Sequence, residues 1–224
     1  MLIFNEFPDF ARLNQTLALK WLGRVQSTPA SEPCTFALAG GTTPGPLYRE
    51  FDLLFAQASP RRIQLVATDE RWVLDDDAQS NERLFRRSFA TSAGLWDLVS
   101  LKNSQAHPAD AIADINARLA HCCNHPFAAV ILGMGADGHI ASLFPDAGDL
   151  LREDPSTACV AACHPQSQQA RMSLSLSRLL STRSIWLVIS GAEKRQVLEH
   201  AAPSTPIGAL LNKAHCDVEV YWCP

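Results

Sequence analysis

The sequence carries no excess of positive charge, no long apolar run and no regular cysteine pattern, and each absence removes a class of function. Its 19 Lys and Arg are outnumbered by 23 Asp and Glu, for a formal charge of −4. A dominant basic footprint for nucleic acid is therefore not expected. Arg61-Arg62 and Arg86-Arg87 are short clusters that read as solvated faces. No apolar run approaches the roughly 20 residues of a membrane span, so no membrane partner is expected. The opening MLIFNEFPDF has neither a basic n-region nor a cleavage site, which favours a cytoplasmic location over export. The seven cysteines are unevenly spaced. Cys34, Cys159 and Cys223 lie in or beside apolar runs, as small buried thiols do. His121-Cys122-Cys123-Asn124-His125 has no matching second pair, and adjacent cysteines do not readily face one tetrahedral ion, so no metal site is expected. Linkers, repeats and low-complexity segments are missing too, which leaves one domain over residues 1–224 as the simplest organisation.

What is present is an alternation. Near-continuous apolar runs at 34–39, 62–68, 127–132, 157–163, 184–190 and 217–222 read as strands. Amphipathic stretches near 8–27, 44–57, 80–90, 108–123 and 192–202 read as helices. The pattern predicts an α/β fold with a mainly parallel central sheet covered by helices on both faces. Ligands in such sheets bind outside the carboxyl ends of the strands, often at a topological switch point. That rule selects Gly40-Gly41, Asp69-Glu70-Arg71, and the segments that start at Gly133 and Gly191.

Four motifs stand at these strand ends. Gly40-Gly41-Thr42-Thr43-Pro44 opens a helix, with Thr43 as N-cap and Pro44 in the first helical position. Backbone N–H groups there suit an anion, but no Gly-Lys-Ser/Thr follows, so this is not a nucleotide P-loop. Arg71 ends the second strand and can fork onto a phosphate or pair with Asp75, Asp76 or Asp77. Ser80 and Glu82 read as the cap and first turn of the next helix. The run GMGADGHIASLFP at 133–145 presents His139 beside Asp137 and Gly138, and an imidazole is a base suited to neutral pH. Its G-x-G-x-x-G spacing also fits a dinucleotide loop, which would need a strand ending in an acid near Glu153-Asp154. Arg171 precedes an alternating strand, and Lys194 lies in the first turn of a helix, where a nearby anion would offset the unfavourable dipole.

Taken in order, GGTTP at 40–44, TDERWV at 68–73, SNERLF at 80–85, GMGADGHIASLFP at 133–145, Arg171 before a Ser-rich strand and GAEK at 191–194 resemble the bacterial 6-phosphogluconolactonases. The resemblance spans most of the chain. It implies a Rossmann-like α/β domain and hydrolysis of 6-phospho-D-glucono-1,5-lactone to 6-phosphogluconate in the oxidative pentose phosphate pathway, with no cofactor. It implies His139 as general base, Arg71 and Lys194 as phosphate ligands with Arg171 as a third, and Gly40, Gly41, Thr42 and Thr43 as the loop around the ligand. Asp137 is expected to orient the loop or the histidine. The expected partner is the small-molecule lactone, with the chain a monomer or weak homodimer. Thr42 replaces the family's usual Ser, and Ile140 its usual Thr. Serines replace threonines after Arg171, and the chain ends at Val-Tyr-Trp-Cys-Pro224, short of the C-terminal segment of many relatives. Ile140 also occurs in the related glucosamine-6-phosphate deaminases, but their glutamate position holds Phe144 here, which removes a proton-transfer group. A non-catalytic phosphosugar sensor is a third reading, and no DNA-binding segment accompanies it.

Overall fold

The computed structural model describes residues 1–41, 43–58, 61–145, 151 and 154–224. Its strands and helices, in chain order, are β1 (Leu2–Glu6), α1 (Phe10–Ser27), β2 (Thr35–Leu38), α2 (Gly45–Ala58), β3 (Ile63–Ala67), β4 (Asp69–Arg71), α3 (Asn81–Ser88), β5 (Trp96–Val99), α4 (Pro108–Cys122), β6 (Ala129–Leu132), β7 (Cys159–Cys163), β8 (Ala170–Leu174), α5 (Leu176–Leu180), β9 (Ile185–Ser190), α6 (Ala192–Glu199), α7 (Pro206–Lys213) and β10 (Val218–Cys223). Among the described residues no helix is long and apolar enough to cross a membrane.

Seven strands form one sheet in the order β1-β10-β9-β6-β2-β3-β5, and every pairing is parallel. All residues of β2 and β6 are buried. Successive side chains point to opposite faces, so both faces of the sheet are covered, as the continuous apolar runs predict. From β2 the chain proceeds to β3 and β5 on one side, and from β6 to β9 and β10 on the other. The gap between the carboxyl ends of β2 and β6 is thus the topological switch point.

The other three strands form a small antiparallel sheet, β4-β8-β7. This corrects three details of the sequence reading. The run at 157–163 belongs to this hairpin and not to the parallel sheet, because β7 pairs antiparallel with β8 through the turn after His164. Asp69-Glu70-Arg71 is a strand of its own after β3. Arg171 lies inside β8 rather than before it. In addition, α2 begins at Gly45, with the Pro44 carbonyl accepting from the Tyr48 amide at 3.1 Å, one residue later than the Thr43 cap implies. The edge strands β1 and β5 and the short helices α5 and α7 escape the periodicity reading. LIFNE and WDLV are only half buried and interrupted by polar residues.

The core gathers around Trp21. Asp9 caps α1 by accepting from the Arg12 amide at 2.9 Å, and the four-residue spacing of Leu13, Leu17, Trp21 and Val25 puts them on one buried face. Trp21 stacks on Phe51 at 3.8 Å and meets Phe36 of β2 at 5.3 Å. Tyr48, one turn earlier on α2, donates its hydroxyl to the Ala39 carbonyl at 2.5 Å, so the packed α2 also holds the backbone where β2 enters its glycine loop. Trp21→Ala is expected to destabilise the protein by about 3–5 kcal/mol. Urea titration followed by circular dichroism measures this, and a loss within about 1 kcal/mol would contradict the packing argument.

Candidate active site

The first part of the site is the turn after β6. The Gly135 amide donates to the His139 carbonyl at 2.9 Å and the Gly138 amide to the Gly135 carbonyl at 3.1 Å. Gly138 has φ 81°, a region that favours glycine, and its carbonyl accepts from the Ile207 amide of α7 at 3.1 Å. The folded-back turn places the Asp137 carboxylate 2.6 Å from His139 Nδ1 and 3.2 Å from the His139 amide. A Cβ on Gly135 would lie 2.2 Å from Nδ1 and 2.5 Å from Asp137 Oδ1, so glycine is what makes room for the pair. With Nδ1–H donated to a carboxylate, the basic lone pair is on Nε2. Burial works against ionised Asp137. The amide, ring and charge of His139 outweigh it and hold that carboxyl below the usual carboxylate range.

The second part is cationic. In the β4–β8 ladder Arg71 is directly opposite Arg171, a like-charge pairing that is unfavourable by itself. Arg71 Nη1 donates to the Gln79 carbonyl at 2.7 Å. Arg171 Nη1 donates to Asp69 Oδ2 at 3.4 Å and to Ser142 Oγ at 3.3 Å. Nε of both arginines is buried with no hydrogen-bond partner, and such a donor calls for an explanation. Burial pushes the Arg171 guanidinium below its ordinary value, with Asp69 opposing the shift and Arg71 adding to it. The acids near Arg71 in sequence do not neutralise it: Asp75 pairs with Lys102 at 2.8 Å. Among the described residues neither Arg71 nor Lys194 has a carboxylate partner. Lys194 is the third residue of α6, whose cap Gly191 has φ 81° and no side-chain capping bond.

The third part is the glycine loop after β2. A Cβ on Gly40 would lie 1.8 Å from Asn81 Oδ1, because the Asn81 amide packs there and donates to the Asp69 carbonyl at 2.7 Å. Ser80 caps α3 as expected, accepting from the Arg83 amide at 3.1 Å. Glu70, fully buried, accepts from the amides of Arg71, Asn81 and Glu82 and from the Ser80 hydroxyl. Burial pushes its carboxyl up, while those amides oppose the shift. Glu70 thereby fastens α3 to the strand that carries Arg71.

These parts meet in a cleft of about 270 Å³ lined by Gly40, Gly41, Thr43, Arg71, His139, Arg171 and Lys194. Thr42 lies outside the described residues. Asp137 sits behind His139. The strand-end rule selects Asp69 and Glu70 along with Arg71 but assigns them no role, and Asn81 and Ser142 are not singled out from the sequence as site residues. Asp69 and Glu70 had a signal, since they follow a buried parallel strand, whereas Ser142 had none. The dinucleotide alternative fails on geometry: the turn after Gly133 leads into further turns rather than a helix, and Asp154 caps its own turn through Ser156. Glu153 lies outside the described residues. Among the described residues no three His, Cys, Asp or Glu side chains could hold a metal ion.

A parallel sheet covered on both faces, with a histidine–aspartate pair and three cationic side chains at its switch point, defines a Rossmann-like α/β protein with its polar chemistry on the carboxyl edge. The family model for glucosamine-6-phosphate isomerases/6-phosphogluconolactonase matches residues 8–222. A 6-phosphogluconolactonase of Caulobacter vibrioides is 37% identical over 84% of this chain and 82% of its own. One from Mesorhizobium japonicum is 32% identical over 99% and 95%. The crystal structure of a 6-phosphogluconolactonase from Shewanella baltica superimposes with a TM-score of 0.88 at 28% identity, covering 100% of this chain and 98% of that one. The chain belongs to the glucosamine-6-phosphate isomerase/6-phosphogluconolactonase family.

Two arginines lining one cleft make an anion test direct. Arg71→Met and Arg171→Met are each expected to weaken inorganic phosphate binding by about ten- to a hundredfold, the worth of a charge-assisted hydrogen bond. Arg195→Met, on the same helix as Lys194 but paired with Glu6 and Glu199, is expected to change it less than about twofold. Calorimetric titration decides, and equal losses in all three variants would contradict the assignment.

Proposed function

We infer that this chain hydrolyses 6-phospho-D-glucono-1,5-lactone to 6-phospho-D-gluconate. The observation that carries the reading is the pair of arginines opposed across one rung of the small sheet and lining one cleft with Lys194 and a carboxylate-bound histidine. Arg71, Arg171, Lys194 and the 40–43 loop hold the phosphate, a group remote from the reacting carbon. The binding energy gained there positions the lactone carbonyl. His139 Nε2 takes a proton from water, and the resulting hydroxide attacks the carbonyl carbon. Collapse of the tetrahedral intermediate breaks the bond to the ring oxygen, which takes the proton from the imidazolium. Asp137 holds the tautomer that leaves Nε2 basic, the role a carboxylate plays behind a catalytic histidine in hydrolases.

Phe144 favours lactone hydrolysis over amine loss. It is 6% exposed, and its ring packs 5.0 Å from that of His139, so an apolar group stands where a deaminase would need a carboxylate to move further protons. The reading takes the chain as one domain that works in the cytoplasm as a monomer or weak homodimer, with the small-molecule lactone as its partner and no cofactor.

The assay generates the lactone in situ and follows acid release above spontaneous hydrolysis. His139→Ala is expected to lower kcat by about 10²–10⁴-fold, and Arg71→Ala to act chiefly on KM. A folded His139→Ala protein with undiminished turnover would remove the base assignment. Ammonia release from glucosamine 6-phosphate is expected to be absent, and its presence would revive the deaminase reading.

A further inference from the structure

Three segments distant in sequence converge on one buried carboxylate oxygen. Ser142 Oγ, from the histidine loop, donates to Asp69 Oδ2 of β4 at 2.6 Å. Arg171 of β8 donates to the same oxygen at 3.4 Å and to Ser142 Oγ at 3.3 Å. The Ser142 amide donates to Ser173 Oγ at 3.2 Å, two residues along β8 and hence on the face that carries Arg171. Ser142, Asp69 and Arg171 are 0%, 5% and 9% exposed, so water does not compete for these bonds.

The same serine sits in a strained turn. Ile140 and Leu143 bridge each other, the Leu143 amide donating to the Ile140 carbonyl at 2.9 Å. Between them Ala141 has φ 49°, a left-handed conformation that disfavours a side chain. Such strain persists where surrounding contacts over-determine it, and the side-chain and backbone bonds of Ser142 supply those contacts. His139 enters this turn and Phe144 leaves it. Phe144 touches the His139 ring at 5.0 Å and lies 5.9 Å from the Arg171 guanidinium. The turn therefore has the proton-transfer group on one side, the cationic fork on the other, and a single buried hydroxyl pinning its middle.

We propose that Ser142 and Asp69 are positioning residues for lactone hydrolysis. Their hydrogen bond fixes the distance between the Arg171 fork and His139, so that a substrate seated by its phosphate presents its carbonyl to Nε2. This rests on the assignment of phosphate binding to Arg171 and of the base to His139. It goes beyond that assignment by naming the bond that sets the spacing between them. Small displacements of a reacting group lower turnover steeply, whereas phosphate affinity rests on several donors that survive the loss of one hydroxyl.

The test is a split measurement on Ser142→Ala, well below its melting temperature. The expected result is a fall in kcat of about tenfold or more, with inorganic phosphate binding within about threefold of the parent. Unchanged kcat in the folded variant, or a loss confined to phosphate affinity and KM, overturns the proposal. In a cycle with Asp69→Ala, the double variant is expected to turn over within about threefold of the worse single variant, because both break one bond. Losses that multiply would mean that Asp69 acts on the substrate by itself, and would overturn the shared role. Should Asp69→Ala fail to fold, the Ser142→Ala split decides alone. Undiminished turnover in His139→Ala would instead sink the underlying base assignment, so the two failures are distinguishable.

Discussion

Two arginines stand directly opposite each other on one rung of a short antiparallel ladder, and much of the site follows from that arrangement. Like charges opposed in a sheet repel, and one of this pair is also desolvated by burial. Asp69 neutralises part of the charge from within the protein. What remains is aimed into a cleft with Lys194 and two glycine-rich loops. The small sheet is thus a device for holding positive charge against its own repulsion. Its place beside the switch point of the large sheet puts that charge within one cleft of His139.

Glycine shapes both halves of the cleft by leaving space. At Gly40 the space is filled by the Asn81 amide, which holds the start of α3 against β4. At Gly135 it is filled by the His139–Asp137 pair. In each case a methyl group would collide with polar atoms whose hydrogen bonds set the geometry of the site. Glu70 adds rigidity from below, collecting donors from β4 and from the first turn of α3.

Much of this was legible in the sequence. The strands that form the middle of the sheet, β2, β6 and β9, are buried almost throughout, and burial on both faces writes itself as a continuous apolar run. Their ends then point to Gly40, Gly133 and Gly191, and so to His139 and Lys194. The edge strands β1 and β5 carry no such signature because part of each meets solvent. The run Cys159–Cys163 misleads for the opposite reason: its small apolar residues look central, yet they belong to a hairpin. Ser142 and Asp69 were the least legible, since their partnership joins positions 73 residues apart. A serine in a loop and an acid at a strand end each have ordinary explanations until the fold brings them to 2.6 Å.

The central claim is one of placement: phosphate between the two arginines, reacting carbon at the histidine. A crystal structure with bound 6-phosphogluconate tests it most directly. The account predicts the phosphate within hydrogen-bond distance of the guanidinium groups of both Arg71 and Arg171, with the carboxylate of the product against His139 Nε2. A product bound in the reverse sense, carboxylate on the arginines and phosphate at the histidine, would contradict it.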